Sequence, residues 1–134
     1  MRASEVMIAD PVVVAAGATS SEVAALMRVK NISVVPVIDN PKDRRYLGTI
    51  SDRDIVTRCV GLGHDPSDCA VQDHARTDTP VVKPDTELKG YKLPRQIDAT
   101  DHHVRATIVV IDGDRRVAGF IPHPEQVEGI LIQG

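Results

Sequence analysis

Hydrophobic residues along this chain fall into short β-branched runs, separated by polar turns rich in proline and glycine and by one stretch of helical spacing. Val12-Val13-Val14 and Val34-Val35-Pro36-Val37-Ile38 read as strands because β-branched side chains suit a pleated, half-buried surface. Between them Val23, Leu26, Met27 and Lys30 follow helical spacing and Ala24-Ala25 favour helix. Thr19 or Ser20 can cap that helix, Glu22 lies in its first turn and Asn31 stops it. Tyr46 to Ile50 forms the next strand, joined to Val34–Ile38 as a hairpin by the polar turn Asn40-Pro41-Lys42-Asp43. Asp52 to Val60 reads as a helix with Ile55, Val56 and Cys59 on one face, ended by Gly61-Leu62-Gly63. Ala3 to Met7 is a short helix or turn leading into all of this.

The same order then recurs. Asp10-Pro11-Val12 returns as Thr79-Pro80-Val81, 69 residues on at the prolines; the apolar run ending at Asp39 returns as Ile108-Val109-Val110-Ile111-Asp112, 73 on; and Gly48 returns as Gly119, 71 on. Three landmarks in one order indicate an internal duplication. Val71 to Ala75 matches the lead-in. Thr107–Ile111 and Val117–Ile121 are strands around the turn Asp112-Gly113-Asp114, and Glu125 to Leu131 is a final helix behind Pro124. Gly90 and Pro94 interrupt the long helix expected in this half, which predicts a kinked or reshaped helix between Thr86 and His103. Each half thus runs β-α-β-β-α, residues 1–66 and 67–134, and each is too small to close a core alone. The expected fold is α/β (α+β): two units packed through their sheets about a pseudo-twofold axis.

Composition narrows the function. Apolar residues make up 42% of the 134 residues but aromatics only 2%, so the core must be built from Val, Ile, Leu and Ala. The net charge of −3 offers no basic footprint for nucleic acid. No run of 18 apolar residues exists and the N-terminus lacks a signal-peptide core, which predicts a cytoplasmic protein with no membrane partner. Cys59 and Cys69 make no disulfide framework and read as free thiols of a reducing compartment, with a bridge under oxidation as the alternative.

The chemistry concentrates in Gly48-Thr49-Ile50-Ser51-Asp52-Arg53-Asp54. A helix start presents unpaired N–H groups and the positive end of a dipole, a ready place for an anion. Ser51 adds a hydroxyl, and Arg53 adds a permanent charge with a fork that suits phosphate. Asp54, one turn in, only accepts hydrogen bonds, which matches the vicinal hydroxyls of a ribose. Val12, Pro36, Val37 and Ile38 could form an apolar slot for a flat base. Ordinary helix capping by Ser51 is the competing explanation of the same residues. In the second copy Pro122 stands where Ser51 would, Pro124 where Arg53 would and Glu125 where Asp54 would, so one copy keeps the polar groups and the other has lost them.

The repeated apolar-Pro-Val-Ile-Asp followed by Gly-Thr-Ile-Ser-Asp-Arg-Asp-Ile resembles the cystathionine-β-synthase (CBS) domain family, in the form of a stand-alone pair or Bateman module. The resemblance covers nearly the whole chain and is most specific in the first half. It implies two motifs packed through their sheets, a cleft on either side of the axis, an adenosine-containing ligand such as AMP, ADP, ATP, NAD or S-adenosylmethionine, and a homodimer. It implies ribose binding by Asp54, phosphate contact by Ser51 with help from Arg53, and adenine contact by the segments Ala9 to Val12 and Pro36 to Ile38, with Thr49 in the same string. Pro80, Val81 and Glu125 would mark a second, degraded site.

Asp98, Asp101-His102-His103 and His123 lack metal-ligand spacing and read as polar loop, so no metal site and no required cofactor is expected. Ser51, Asp54 and His123 lack a nucleophile-elbow context, so no catalytic residue is assigned and the protein is expected not to be an enzyme. The basic pairs Arg44-Arg45 and Arg115-Arg116 fall in matching hairpin turns. The leading expectation is a regulatory sensor that binds an adenine nucleotide in the first motif and signals to an effector protein. The rival is a ligand-free scaffold or protein-interaction dimer with the same fold.

Overall fold

Two small sheets face each other across a core of aliphatic side chains joined by the aromatic rings of Tyr46 and Phe120, in a computed structural model that describes residues 2–88 and 108–121. The helix expected from Glu125 to Leu131 falls outside those residues, as does nearly all of the segment from Thr86 to His103. The first sheet has the order β2-β3-β4, with β2 (Val14–Ala15) parallel to β3 (Val34–Ile38) and β3 antiparallel to β4 (Tyr46–Ser51). The second has the order β1-β7-β6-β5: β5 (Val81–Val82) is parallel to β6 (Ile108–Ile111), β6 antiparallel to β7 (Val117–Ile121), and β1 (Ile8–Ala9) is added antiparallel at the far edge.

Alternation along the strands builds three layers of core. Ile38 and Tyr46 of the first sheet meet Val109, Ile111, Val117 and Phe120 of the second. Val35, Val37 and Ile50 point the other way, under Val23 and Met27 of α2 (Ser20–Lys30). On the outer face of the second sheet, Val110 and Ile121 pack with Ala3 of α1 (Ala3–Val6). The ends of α2 follow its sequence signals. Thr19 Oγ1 accepts from the Glu22 N–H at 3.1 Å while Glu22 Oε1 accepts from the Thr19 N–H at 3.2 Å, a reciprocal capping box. Asn31 closes the helix in the left-handed conformation at φ 54°.

The helix after β4 departs from the expected form. α3 (Asp52–Asp54) runs into a wide π turn (Ile55–Cys59) and a closing 3-10 turn (Val60–Leu62), capped by Gly63 at φ 83°. Ile55 and Cys59 face the core, but Val56 is 60% exposed instead of sharing their face. Consecutive helical positions diverge by about 100°, so the buried Ile55–Cys59 stripe turns Val56 to the surface.

The duplication is visible at the seam between halves. The Tyr46 N–H donates to the Arg115 carbonyl at 2.9 Å and the Val117 N–H to the Arg44 carbonyl at 3.0 Å, a reciprocal pair that joins the two hairpins. Arg44 and Arg115 both adopt positive φ, 55° and 64°, so the matching basic pairs occupy matching backbone. The halves also exchange their lead-ins. β1 of the first half pairs with β7 of the second, while Arg76, before β5, bridges Thr49 of the first sheet. Gly48 lacks a Cβ where the Arg76 carbonyl presses on it, and Gly119 lacks one where the Met7 side chain does.

Candidate functional site

The site builds up from the end of β4. Antiparallel pairing of Val34 with Ser51 and a hydrogen bond from the Asp52 N–H to the Ser33 carbonyl at 2.9 Å fix the point where strand becomes helix. Ser51 Oγ accepts from the Asp54 N–H at 3.0 Å, and Asp54 Oδ2 accepts from the Ser51 N–H at 3.0 Å. This is a capping box with aspartate in the place of the usual glutamate. The Arg53 N–H donates to Asp52 Oδ1 at 2.7 Å. The backbone donors of Asp52, Arg53 and Asp54 are therefore all engaged within the chain, which corrects the expectation of an open helix start. The groups left that could meet an anion here are side chains.

Those side chains are arginines. The Asp54 carboxylate is 1% exposed, and its Oδ1 accepts from Arg76 Nε at 2.7 Å with Arg58 Nε 3.9 Å away. Hydrogen bonding to Asp54, and its charge, hold the Arg76 guanidinium pKa above its ordinary value. The guanidinium keeps 42% of its side-chain surface. Arg53 is exposed on the same turn. Arg76 reaches Asp54 because its backbone is paired to the neighbouring strand: the Thr49 N–H donates to the Arg76 carbonyl at 2.9 Å and the Arg76 N–H to the Thr49 carbonyl at 2.7 Å. Three residues on, the Thr79 and Thr49 hydroxyls meet at 2.6 Å. The site thus combines one buried carboxylate, two threonine hydroxyls and a serine hydroxyl with the guanidinium groups of Arg58 and Arg76, while Arg53 is exposed one residue before Asp54. It draws on both halves of the chain.

The sequence reading did not single out Arg58 or Arg76. Arg58 lies four residues after Asp54, the spacing that puts a cation beside a helical carboxylate. Arg76 lies 69 residues after Met7, so the duplication itself places a charge where the first copy has an apolar residue.

The expected apolar slot is divided. β2 runs parallel to β3 and pairs only with its last two residues, Val37 and Ile38, so exposed Val12, two residues before β2, lies on the side toward the Ser51 end. Pro36 is fully buried in β3, opposite Thr49, itself 3% exposed, so its side chain does not line a surface slot either. Val37 and Ile38 are sealed in the core layers on opposite faces of the sheet, so their side chains do not line a surface slot. Ala9 pairs with Gly119 in the second sheet, not with the strand that leads to Ser51. Its neighbours are those of the second copy. Pro80 and Val81 are exposed at the edge of that sheet, with the Pro80 carbonyl accepting from the Val109 N–H at 3.0 Å. Pro122, Pro124 and Glu125 lie outside the described residues, as do Asp98, Asp101, His102, His103 and His123.

Residues 3–61 match the family model of the CBS domain. The chain is similar to the solved structure of Hypoxic Response Protein I with two coordinated zinc ions, at 24% identity and a TM-score of 0.72, over 97% of this chain and 98% of that one. It is similar to the CBS-pair protein CBSX2 of Arabidopsis thaliana, at 20% identity and a TM-score of 0.69, over 98% and 95%. CbpB in complex with c-di-AMP matches at 18% identity and a TM-score of 0.70, over 99% and 85%. At such identities the likeness speaks for the fold, and that fold is the one the duplicated motif implied. No curated protein sequence matches the chain. Among the described residues no helix is long and apolar enough to cross a membrane.

Proposed function

We propose that this chain, a CBS pair by fold, is a non-catalytic regulatory module that takes an adenine nucleotide or related adenosyl ligand beside Asp54 and passes the signal to an effector protein. The carrying observation is the meeting of Ser51, Asp54, Arg58 and Arg76 at the end of the first sheet, with Arg53 exposed on the same turn. A carboxylate for ribose hydroxyls stands there next to several guanidinium groups for phosphate. CbpB, of the same fold, is seen with c-di-AMP, which supports a nucleotide over other anions. Val12, exposed near Ser51, supplies the apolar side for the base. Val29 of α2 and Val56, Val60 and Leu62 of the following helix are exposed aliphatic residues, and they are the surface through which we assign a homodimer.

A second reading has an observation of its own. Asp54 is already satisfied by Ser51 and Arg76, which is what a structural carboxylate in a ligand-free scaffold would look like. Isothermal titration of the purified chain with AMP, ADP, ATP, NAD, S-adenosylmethionine and c-di-AMP separates the two. The sensor reading expects saturable binding of at least one of them, weakened by Arg53→Ala, whose side chain is exposed and outside the capping box. No binding by any of the six to folded protein would leave the scaffold as the function.

A further inference from the structure

Cys59, His64, Cys69 and His74 recur at intervals of five residues, a regularity the nucleotide site does not use. The fold gathers them. Cys59 ends the π turn and is fully buried; Cys69 and His74 lie on the connection to the second half. One ligand atom from each of Cys59, Cys69 and His74 lies within 4.8 Å of the other two. The backbone holding them is pinned: the Ser20 N–H donates to the Cys69 carbonyl at 2.9 Å, and the His74 N–H to the Val71 carbonyl at 3.0 Å.

An independent observation points to an occupant. His74 is 7% exposed, and its Nε2 is buried with no hydrogen-bond partner. A buried polar nitrogen left unpaired is destabilising and rare. A disulfide between the two cysteines would leave that nitrogen unpaired, whereas a metal ion engages both sulfurs and the imidazole together. His64 stands at the rim. Its N–H donates to the Cys59 carbonyl at 3.0 Å, and its ring centroid is 5.5 Å from that of His74. Asp68 and Asp73 are near enough to act electrostatically on Cys69, a negative surround that favours a cation.

We propose that Cys59, Cys69 and His74 bind a divalent metal ion of the zinc type, with His64 as the fourth ligand. Two sulfurs and two imidazoles form a tetrahedral set suited to Zn2+. Ligand atoms about 2.0–2.3 Å from one ion stand roughly 3.5 Å apart, so closing the group takes ångström-scale side-chain adjustment. On binding, both thiols release their protons to solvent, and the two thiolates balance the charge of the ion. The metal would staple the end of the first-half helix to the connecting segment.

The test uses the reduced, metal-stripped full chain and Co2+ as a spectroscopic probe. We expect one equivalent to produce a thiolate-to-cobalt charge-transfer band with tetrahedral d–d absorption, displaced by Zn2+. Zinc should also shield Cys69, the half-buried cysteine, from alkylation by iodoacetamide, a readout that needs no variant. Cys69→Ser and His74→Gln, checked for folding by circular dichroism, should each weaken zinc binding by more than the roughly 10–100-fold that loss of an outer-shell partner causes. Absence of the cobalt bands from folded protein, or alkylation of Cys69 unchanged by excess zinc, would overturn the site. Undiminished affinity in His64→Ala would remove His64 from it.

Discussion

The bond between Asp54 and Arg76 ties the first half to the lead-in of the second, and a double-mutant cycle measures it. Nε and Oδ1 are 2.7 Å apart, a charge-assisted hydrogen bond worth about 1.5–3 kcal/mol. Arg76 retains 42% of its side-chain surface, so solvent screening favours the low end, about 1.5 kcal/mol. Arg76→Ala strands a carboxylate that is 1% exposed. The loss is softened by Arg58 at 3.9 Å and by water entering the space, which puts it near 2 kcal/mol, below the 3–5 kcal/mol for breaking a fully buried pair. Asp54→Ala removes the same bond plus its half of the capping box, about a further 1 kcal/mol. The double variant should lose about 1.5 kcal/mol less than the sum of the singles. Urea unfolding at fixed salt gives each free energy by linear extrapolation, and an unchanged slope verifies that the transition is comparable. The coupling should persist at 1 M salt, where the Debye length is still about 3 Å. A coupling below about 0.5 kcal/mol, or singles that simply add, would refute the claim that this bond joins the halves.

The two repeat-related glycines should respond differently. Gly48→Ala drives a methyl into the Arg76 backbone carbonyl and should destabilise by about 2–3 kcal/mol, whereas Gly119→Ala meets only the flexible Met7 side chain and should lose about 1 kcal/mol; equal losses by thermal unfolding would contradict the exchange of lead-ins. Arg44→Gly and Arg115→Gly relieve non-glycine residues at φ 55° and 64°, so the unfolding free energy from urea titration should rise by up to about 1 kcal/mol each; a fall would show that the arginine side chains themselves hold the seam. Val56→Asp combined with Leu62→Asp places charges on side chains 60% and 68% exposed. Light scattering is expected to report a dimer for the native chain and a monomer for the variant, and a native monomer would end the dimer proposal.

Much of the first sheet was legible because local signals agree there. The β-branched run Val34–Ile38, the capping pair Thr19 and Glu22, and the left-handed stop at Asn31 all act within a few residues of themselves, and all are found as expected. The hairpin Ile108–Ile111 with Val117–Ile121 is equally local. What could not be read is which sheet a two-residue strand joins: Ile8-Ala9 carries no pattern that favours β7 over β4. Asp54 was legible as the chemical residue of its helix but not as a buried one, because its partner Arg76 is 22 residues away and arrives through the exchanged lead-in. Val37 and Ile38 were assigned to a slot because an apolar run next to a polar string looks like a pocket wall. The pleat instead sends one to each face of a sheet covered on both sides.

The exchange of lead-ins gives the proposed sensor a mechanism with a measurable term. Asp54 is 1% exposed with Arg76 Nε on its Oδ1, so a ribose hydroxyl that donates there reaches the carboxylate by displacing the guanidinium. The Arg76 backbone stays paired with Thr49, so only the guanidinium swings. Breaking that bond subtracts about 1.5 kcal/mol from binding, close to a tenfold loss of affinity. A ligand with phosphate regains it by receiving the freed guanidinium; adenosine, without phosphate, does not. Arg76→Ala should therefore strengthen adenosine binding about tenfold while leaving AMP unchanged or weaker, as titration calorimetry can read directly. The wild-type chain would prefer AMP over adenosine and the variant would lose that preference. The conformational signal would be the state of Arg76 itself, because a ligand shifts an equilibrium only through its differential affinity for the two states. If adenosine and AMP respond alike to Arg76→Ala, the guanidinium is a structural tie alone and the ligand enters without touching Asp54.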